Sequence, residues 1–176
     1  MVVSRSVNIM FLPVIFLVAF KIMHNPALVN GDATLIGRVC GKTLFPADCR
    51  RCFDSDPQNG RVDVRGLAGI AIKCSYAPAI DVDKLLTTYT RNGLSEYAFC
   101  LQQFDYIVQK LSLAQQSWKN NRYQDSKNLV QKAIGDYFVC LYGLKKPRYP
   151  DQFIEGLYRT RTSCENAVGA LKQIGS

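Results

Sequence analysis

Apolar residues recur at helical spacing through most of the chain. Val64, Leu67, Ile70, Ala71, Cys74, Val82, Leu85, Leu86 and Tyr89 predict one long helix, ended by Asn92-Gly93. Pro78 falls inside it and removes one backbone donor, which predicts a kink or two helices meeting near Ala77. Leu94, Tyr97, Leu101, Phe104, Val108, Leu111, Ala114 and Trp118 step by threes and fours, the stripe of a bundle helix, with Ser95 and Glu96 at its polar start. Lys119–Arg122 is a short polar turn, so the next helix runs antiparallel. That helix starts near Tyr123, turns Leu129, Val130, Ala133, Ile134, Tyr137, Phe138, Leu141 and Leu144 inward, and ends at Gly143 and Lys145-Lys146-Pro147. After the loop Arg148–Asp151, Phe153, Leu157, Cys164, Ala167, Val168, Leu171 and Ile174 mark the last helix. No segment alternates with period two and no internal repeat is evident. The expected fold is all-α: an up-down four-helix bundle over residues 61–175, preceded by a helical hairpin over 35–57.

The hairpin is read from Val39–Pro57, VCGKTLFPADCRRCFDSDP. Two short helical turns fold back on each other at Phe45-Pro46, and a disulfide between Cys40 and Cys49 would staple them. Such a piece has too little apolar surface to fold alone, so it must lean on the bundle. Cys100 and Cys140 lie about twenty residues before and after the turn between the second and third bundle helices. At about 1.5 Å rise per residue they reach the same height, and a disulfide between them needs little distortion.

Residues 1–31 read as a secretory signal. Arg5 precedes an apolar run, Ile9–Phe20, too short for the ~20 residues a membrane span takes, and Val29-Asn30-Gly31 offers a cut after Gly31. The alternative is an uncleaved anchor, against which Lys21 and His24 end the apolar run early. Cleavage leaves a 145-residue domain, 32–176, with no histidine, and lowers the net charge from +8 to +6. The expected destination is the apoplast or cell wall, with the vacuole as the alternative, and no membrane association after cleavage. All seven cysteines remain, so disulfides are expected and the odd count leaves at least one cysteine without an intramolecular partner. No N-glycosylation sequon is present.

A Cys-x8-Cys hairpin, the following Ser55-Asp56-Pro57, VRGLAGIAI at Val64–Ile72 and the placement of Cys100 and Cys140 resemble the plant invertase and pectin methylesterase inhibitor domain family over Leu35–Ile174. The resemblance implies a secreted inhibitor without catalytic activity or cofactor, which docks on a carbohydrate-active enzyme and blocks its substrate cleft. It implies the pairs Cys40–Cys49 and Cys100–Cys140, with a free cysteine in the last helix that Cys164 matches. Cys52 and Cys74 are additions: they pair and tie the hairpin to the first bundle helix, or they are two buried thiols.

Two target classes come with the family. Invertase inhibitors are associated with Pro-Lys-Phe in the turn between the second and third bundle helices, where this chain reads Asn120-Asn121-Arg122-Tyr123. Pectin methylesterase inhibitors use carboxylates after the second-helix cysteine and a threonine before the third-helix one, where this chain has Gln102, Tyr106, Gln109 and Val139. The chain departs from both patterns. The missing invertase motif is the more definite departure, so the expected partner is pectin methylesterase, with invertase, or a non-inhibitory helical binding domain, as alternatives. Tyr106, Tyr123 and Tyr142 fall off the strongest stripe, and exposed aromatics serve as interface anchors, although amphipathic rings also lie on plain surfaces. The candidate partner-binding residues are Gln102, Tyr106, Gln109, Arg122, Tyr123, Val139 and Tyr142.

Other chemistry is weaker. Cys49-Arg50-Arg51-Cys52 has redox spacing but no strand-to-helix context, and Cys49 has a better partner in Cys40. Zinc needs a second close ligand pair, which is missing. Asp54 and Asp56 beside Pro57 read as turn formers before acid–base groups. Arg50, Arg51, Arg61 and Arg65, and Lys145, Lys146, Arg148, Arg159 and Arg161, form two basic clusters. In a secreted chain the polyanion they would meet is de-esterified pectin, weakly, and not nucleic acid; a solvated surface is the simpler account.

Overall fold

A computed structural model describes residues 31–144 and 149–174. The proposed signal segment lies outside the described residues, apart from Gly31, and residues 32–176 form one compact unit. The described residues hold six α-helices and no strand: α1 Gly31–Gly41, α2 Pro46–Asp54, α3 Val64–Arg91, α4 Ala98–Lys119, α5 Tyr123–Gly143 and α6 Asp151–Leu171. Helices α3 to α6 form the bundle, in which α4 packs on α5, α3 on α4 and on α6, and α5 on α6. Helices α1 and α2 form the hairpin, and α2 rests on α3 and α6. No helix among the described residues is long and apolar enough to cross a membrane.

Three disulfides are present: Cys40–Cys49 within the hairpin, Cys52–Cys74 from α2 to α3, and Cys100–Cys140 from α4 to α5. The Cys-x-x-Cys is therefore split between two bridges and holds no dithiol. Cys164 is free and buried. Burial pushes its thiol up to about 12, against a smaller opposing hydrogen bond with Ser75.

The hairpin is held at its bend by one side chain. Asn166 of α6 is buried, accepts from the Phe45 N–H at 3.1 Å and donates to the Phe45 carbonyl at 3.0 Å. Both main-chain polar groups of Phe45 are thus satisfied at the bend. Val39 and Phe53 enter the core, and Gln173 donates to the Val39 carbonyl. Asp56, buried after α2, accepts from the Gln58 N–H at 2.9 Å and pairs with Lys73 of α3 at 3.1 Å. It is a structural carboxylate, as its place beside Pro57 suggested. Those two hydrogen bonds, the backbone one foremost, hold its pKa below the ordinary carboxylate value.

Helix α3 starts at Asp63, whose carboxylate caps the Gly66 N–H at 2.9 Å. The helix runs unbroken to Arg91 through a buried Pro78, so of the two outcomes expected there, a kink or two helices, the division into two helices does not occur. Proline costs α3 one hydrogen bond, and packing on α6 and α4 along its length outweighs that local loss. Leu94 does not join the α4 stripe. It is exposed, and a 3₁₀ turn, Ser95–Tyr97, precedes the helix. Tyr97 is the first buried residue there, with its ring against Tyr89, Tyr149 and Phe153. The interior stripe of α4 is then Cys100, Phe104, Ile107, Leu111 and Ala114.

Candidate functional site

The α4–α5 pair is built as a stiff plank. Its turn is a Schellman motif: the Asn121 N–H donates to the Trp118 carbonyl and the Arg122 N–H to the Ser117 carbonyl, each at 2.9 Å, with Asn121 at φ +58°. Asparagine is among the few non-glycine residues that adopt that conformation readily. Buried Ser126 donates to the Ala114 carbonyl at 2.9 Å and joins the helices beside the turn. Lys110 pairs with Asp136 midway. Cys100–Cys140 clamps the far part with 4.6 Å between Cα atoms. Beyond it, the Phe99 ring occupies the space that a side chain at Gly143 would need.

This pairing leaves an outward face. On α4 it shows Phe99, Gln102, Tyr106, Gln109 and Leu113, and on α5 Val139 and Tyr142, all exposed. Tyr106 is 42% exposed and Tyr142 81%. Gln102 donates to the Tyr106 hydroxyl at 3.4 Å, and Lys110 Nζ lies 5.2 Å from its ring centroid. Tyr142 stacks on Phe138 with centroids 6.1 Å apart.

The sequence-based candidates are spread along this plank from the disulfide to the turn. Gln102, Tyr106 and Gln109 share α4, and Val139 and Tyr142 belong to the disulfide end of α5. Arg122 and Tyr123 sit at the turn, about 28 Å along α5 from Tyr142 at 1.5 Å per residue. Tyr123 is half-buried: its hydroxyl donates to Asn121 Oδ1 at 2.6 Å and Arg65 of α3 lies 6.0 Å from its ring centroid. Exposed Arg122 forms a loose ion pair with Asp125, at 3.9 Å. Sequence reasoning missed Phe99, Leu113, Lys110 and Asp136. A signal for the first two existed, since Phe99, Tyr106 and Leu113 recur every seven residues away from the core stripe.

Only Arg159 and Arg161 of the second basic cluster fall among the described residues. Lys145, Lys146 and Arg148 lie outside the described residues. Arg161 is not a free surface cation: its guanidinium lies 5.5 Å from the Phe138 ring centroid and 5.9 Å from that of Phe45, and its Nε is buried. In the first cluster, exposed Arg51 pairs with Asp48 at 3.4 Å. No group of three or more metal-ligating side chains occurs among the described residues.

On the α3 and α4 sides of one contact, half-buried Asp83 lies beside exposed Asp105. Asp83 Oδ1 is buried with no hydrogen-bond partner among the described residues. Burial first, then the charge of Asp105 and a hydrogen bond with it, raise the Asp83 pKa above the ordinary carboxylate value.

Comparison with known proteins gives this architecture relatives. Residues 34–169 match the sequence model of the family described as plant invertase/pectin methylesterase inhibitor. A pectinesterase inhibitor from Actinidia deliciosa is 25% identical over 138 residues, which is 76% of this chain and 73% of that protein. Among solved structures, a mutant form of a pectin methylesterase inhibitor from Arabidopsis superposes with a TM-score of 0.68 at 18% identity, over 78% of this chain and 95% of that one. A second, from Arabidopsis thaliana, gives 0.60 at 18% identity, over 82% and 99%. At these identities the structural likeness shows the fold.

Proposed function

The chain belongs to the plant invertase/pectin methylesterase inhibitor family, and from that premise we propose that it is a secreted, non-catalytic inhibitor of pectin methylesterase. It acts by stoichiometric docking of the α4–α5 face across the enzyme's substrate groove, so that substrate is excluded by bulk and not by chemistry. The observation that carries this reading is the face itself. Two helices locked by Cys100–Cys140, Lys110–Asp136 and Ser126 hold exposed rings and an exposed valine in a fixed array. A rigid surface loses little entropy on docking, and exposed tyrosines are the side chains that anchor interfaces. A footprint of roughly 1,600 Å² in total is expected.

Pectin methylesterase is preferred over invertase on two grounds. The curated relative is a pectinesterase inhibitor, and the α4–α5 turn reads Asn-Asn-Arg-Tyr in place of Pro-Lys-Phe. A weak pectin contact through Arg50 and its neighbours is not needed for this mechanism. The test is inhibition of a purified plant pectin methylesterase and a purified cell-wall invertase, each titrated with this protein across acidic to neutral pH. The reading expects loss of methylesterase activity at a one-to-one ratio and unchanged invertase. Loss of invertase activity alone would reverse the target, and no effect on either would leave a non-inhibitory domain.

A further inference from the structure

Tyr106 is held before any partner arrives. It is an exposed ring on an outward helix face, where a tyrosine ordinarily samples several rotamers. Here it has a partner one turn away on each side, at positions 102 and 110 of the same stripe of α4. Gln102 reaches its hydroxyl at 3.4 Å, and the Lys110 ammonium lies 5.2 Å from its centroid. Lys110 is itself restrained, since its ammonium is bound to Asp136 of α5 and its side chain is only 26% exposed. The lysine stem thus crosses from one helix to the other and its charged end lies near both the ring and the carboxylate. Resting on the docking reading above, we propose that Lys110 is a positioning residue: anchored by Asp136, it fixes the Tyr106 ring in the pose that enters the enzyme, and so sets the strength of inhibition without touching the enzyme.

A side chain that is ordered in advance does not have to be ordered at the moment of binding. Loss of Lys110 should therefore weaken docking through Tyr106 and through nothing else. The experiment is a double-mutant cycle on the full protein, reading the inhibition constant against pectin methylesterase for wild type, Lys110→Met, Tyr106→Ala and the pair, with Lys110→Arg as the conservative rescue. Lys110→Met is expected to weaken inhibition by about fivefold, the scale of a cation–π contact at an exposed site. The same change on top of Tyr106→Ala is expected to cost nothing further, and Lys110→Arg, which keeps a cation for both Asp136 and the ring, is expected to restore inhibition. A merely structural lysine would lower the thermal midpoint without this dependence on Tyr106. In the free protein, NMR cross-peaks between the Tyr106 ring protons and the Lys110 Cε protons are expected. Equal costs of Lys110→Met with and without Tyr106, an unchanged inhibition constant in Lys110→Met, or absence of those cross-peaks would each overturn the proposal. Failure of the docking reading is distinguishable because it shows in wild type alone, as absence of inhibition, and the positioning role in docking falls with it.

Discussion

Cys52 of α2 is bonded to Cys74 of α3, so the N-terminal hairpin is tied covalently to the first long helix of the bundle. Without it, the hairpin would be held by Asn166, Gln173, the Asp56–Lys73 pair and its buried side chains. The bridge closes a loop of 22 residues, which in the chain-entropy account is worth about 3 kcal/mol. The double variant Cys52→Ala, Cys74→Ala should remain folded and unfold at lower denaturant. Equilibrium unfolding of the two proteins measures the difference.

Cys164 should be chemically silent. Its thiol is buried in α6 and burial raises its pKa to about 12, so almost no thiolate exists at neutral pH. Alkylation followed by mass measurement should label no cysteine in the native protein and one in the denatured, unreduced protein. Labelling of three after denaturation would mean that one of the bridges is absent.

Trp118 closes the bundle beside the α4–α5 turn. Its ring lies over Gly69 of α3, where any side chain would collide with it, and its indole N–H donates to the Arg65 carbonyl at 2.9 Å. Gly69→Ala should cost about 1–3 kcal/mol, because the ring cannot move without giving up that bond. Thermal unfolding together with tryptophan emission checks it, with emission expected to shift as the ring is displaced.

Two carboxylates should impart opposite pH dependences. The pKa of Asp83 is raised in the folded protein, by burial first and Asp105 second, so its favourable contribution is full below the unfolded carboxylate value and is lost as pH rises through the folded one. The pKa of Asp56 is lowered, by its hydrogen bond with the Gln58 N–H first and by Lys73 second, so its contribution is present above the unfolded value and is lost as pH falls through the folded one. Asp83→Asn should therefore stabilise the protein at neutral pH with a gain that shrinks in acid. Asp56→Asn should destabilise it at neutral pH with a loss that shrinks in acid. Denaturant unfolding from about pH 3 to pH 7 separates the two signs.

Much of the fold was legible because a helix writes its buried face into the sequence. Phe104, Leu111 and Ala114 on α4, Val130, Ala133 and Tyr137 on α5, and Phe153, Leu157 and Ala167 on α6 are all buried as their spacing required. The chain was less legible where one element changes into another. The 3₁₀ turn before α4 advances about 120° per residue where an α-helix advances 100°, which takes Leu94 out of register with the stripe behind it. Pro78 does not divide α3, because the helix is packed along its length on α4 and α6. The Cys52–Cys74 pairing rests on how α2 lies against α3, which spacing alone does not state.

The docking face was legible only in part. Off-stripe aromatics such as Tyr106 and Tyr142 mark themselves by breaking the periodicity, and both are exposed. The contacts that fix such groups join distant residues and leave no trace in spacing. Lys110 meets Asp136 across two helices, and Arg161 of α6 meets Phe138 of α5 and Phe45 of the hairpin. The latter removes from the basic surface a charge that composition alone would count there.

The central claim, that α4 and α5 present the surface that occludes the enzyme, is tested most directly by the affinity of the complex with pectin methylesterase for two charge variants. Val139→Asp puts a carboxylate on the exposed face at the disulfide end of α5, at a position 46% exposed and next to the Cys140 clamp. Arg50→Glu changes an exposed charge on α2, which packs on α3 and α6. Titration calorimetry should give a one-to-one complex that Val139→Asp weakens by more than about tenfold, as burying an unpaired charge in an interface would, while Arg50→Glu stays within about twofold of wild type. Unchanged affinity in Val139→Asp together with a large loss in Arg50→Glu would contradict the account.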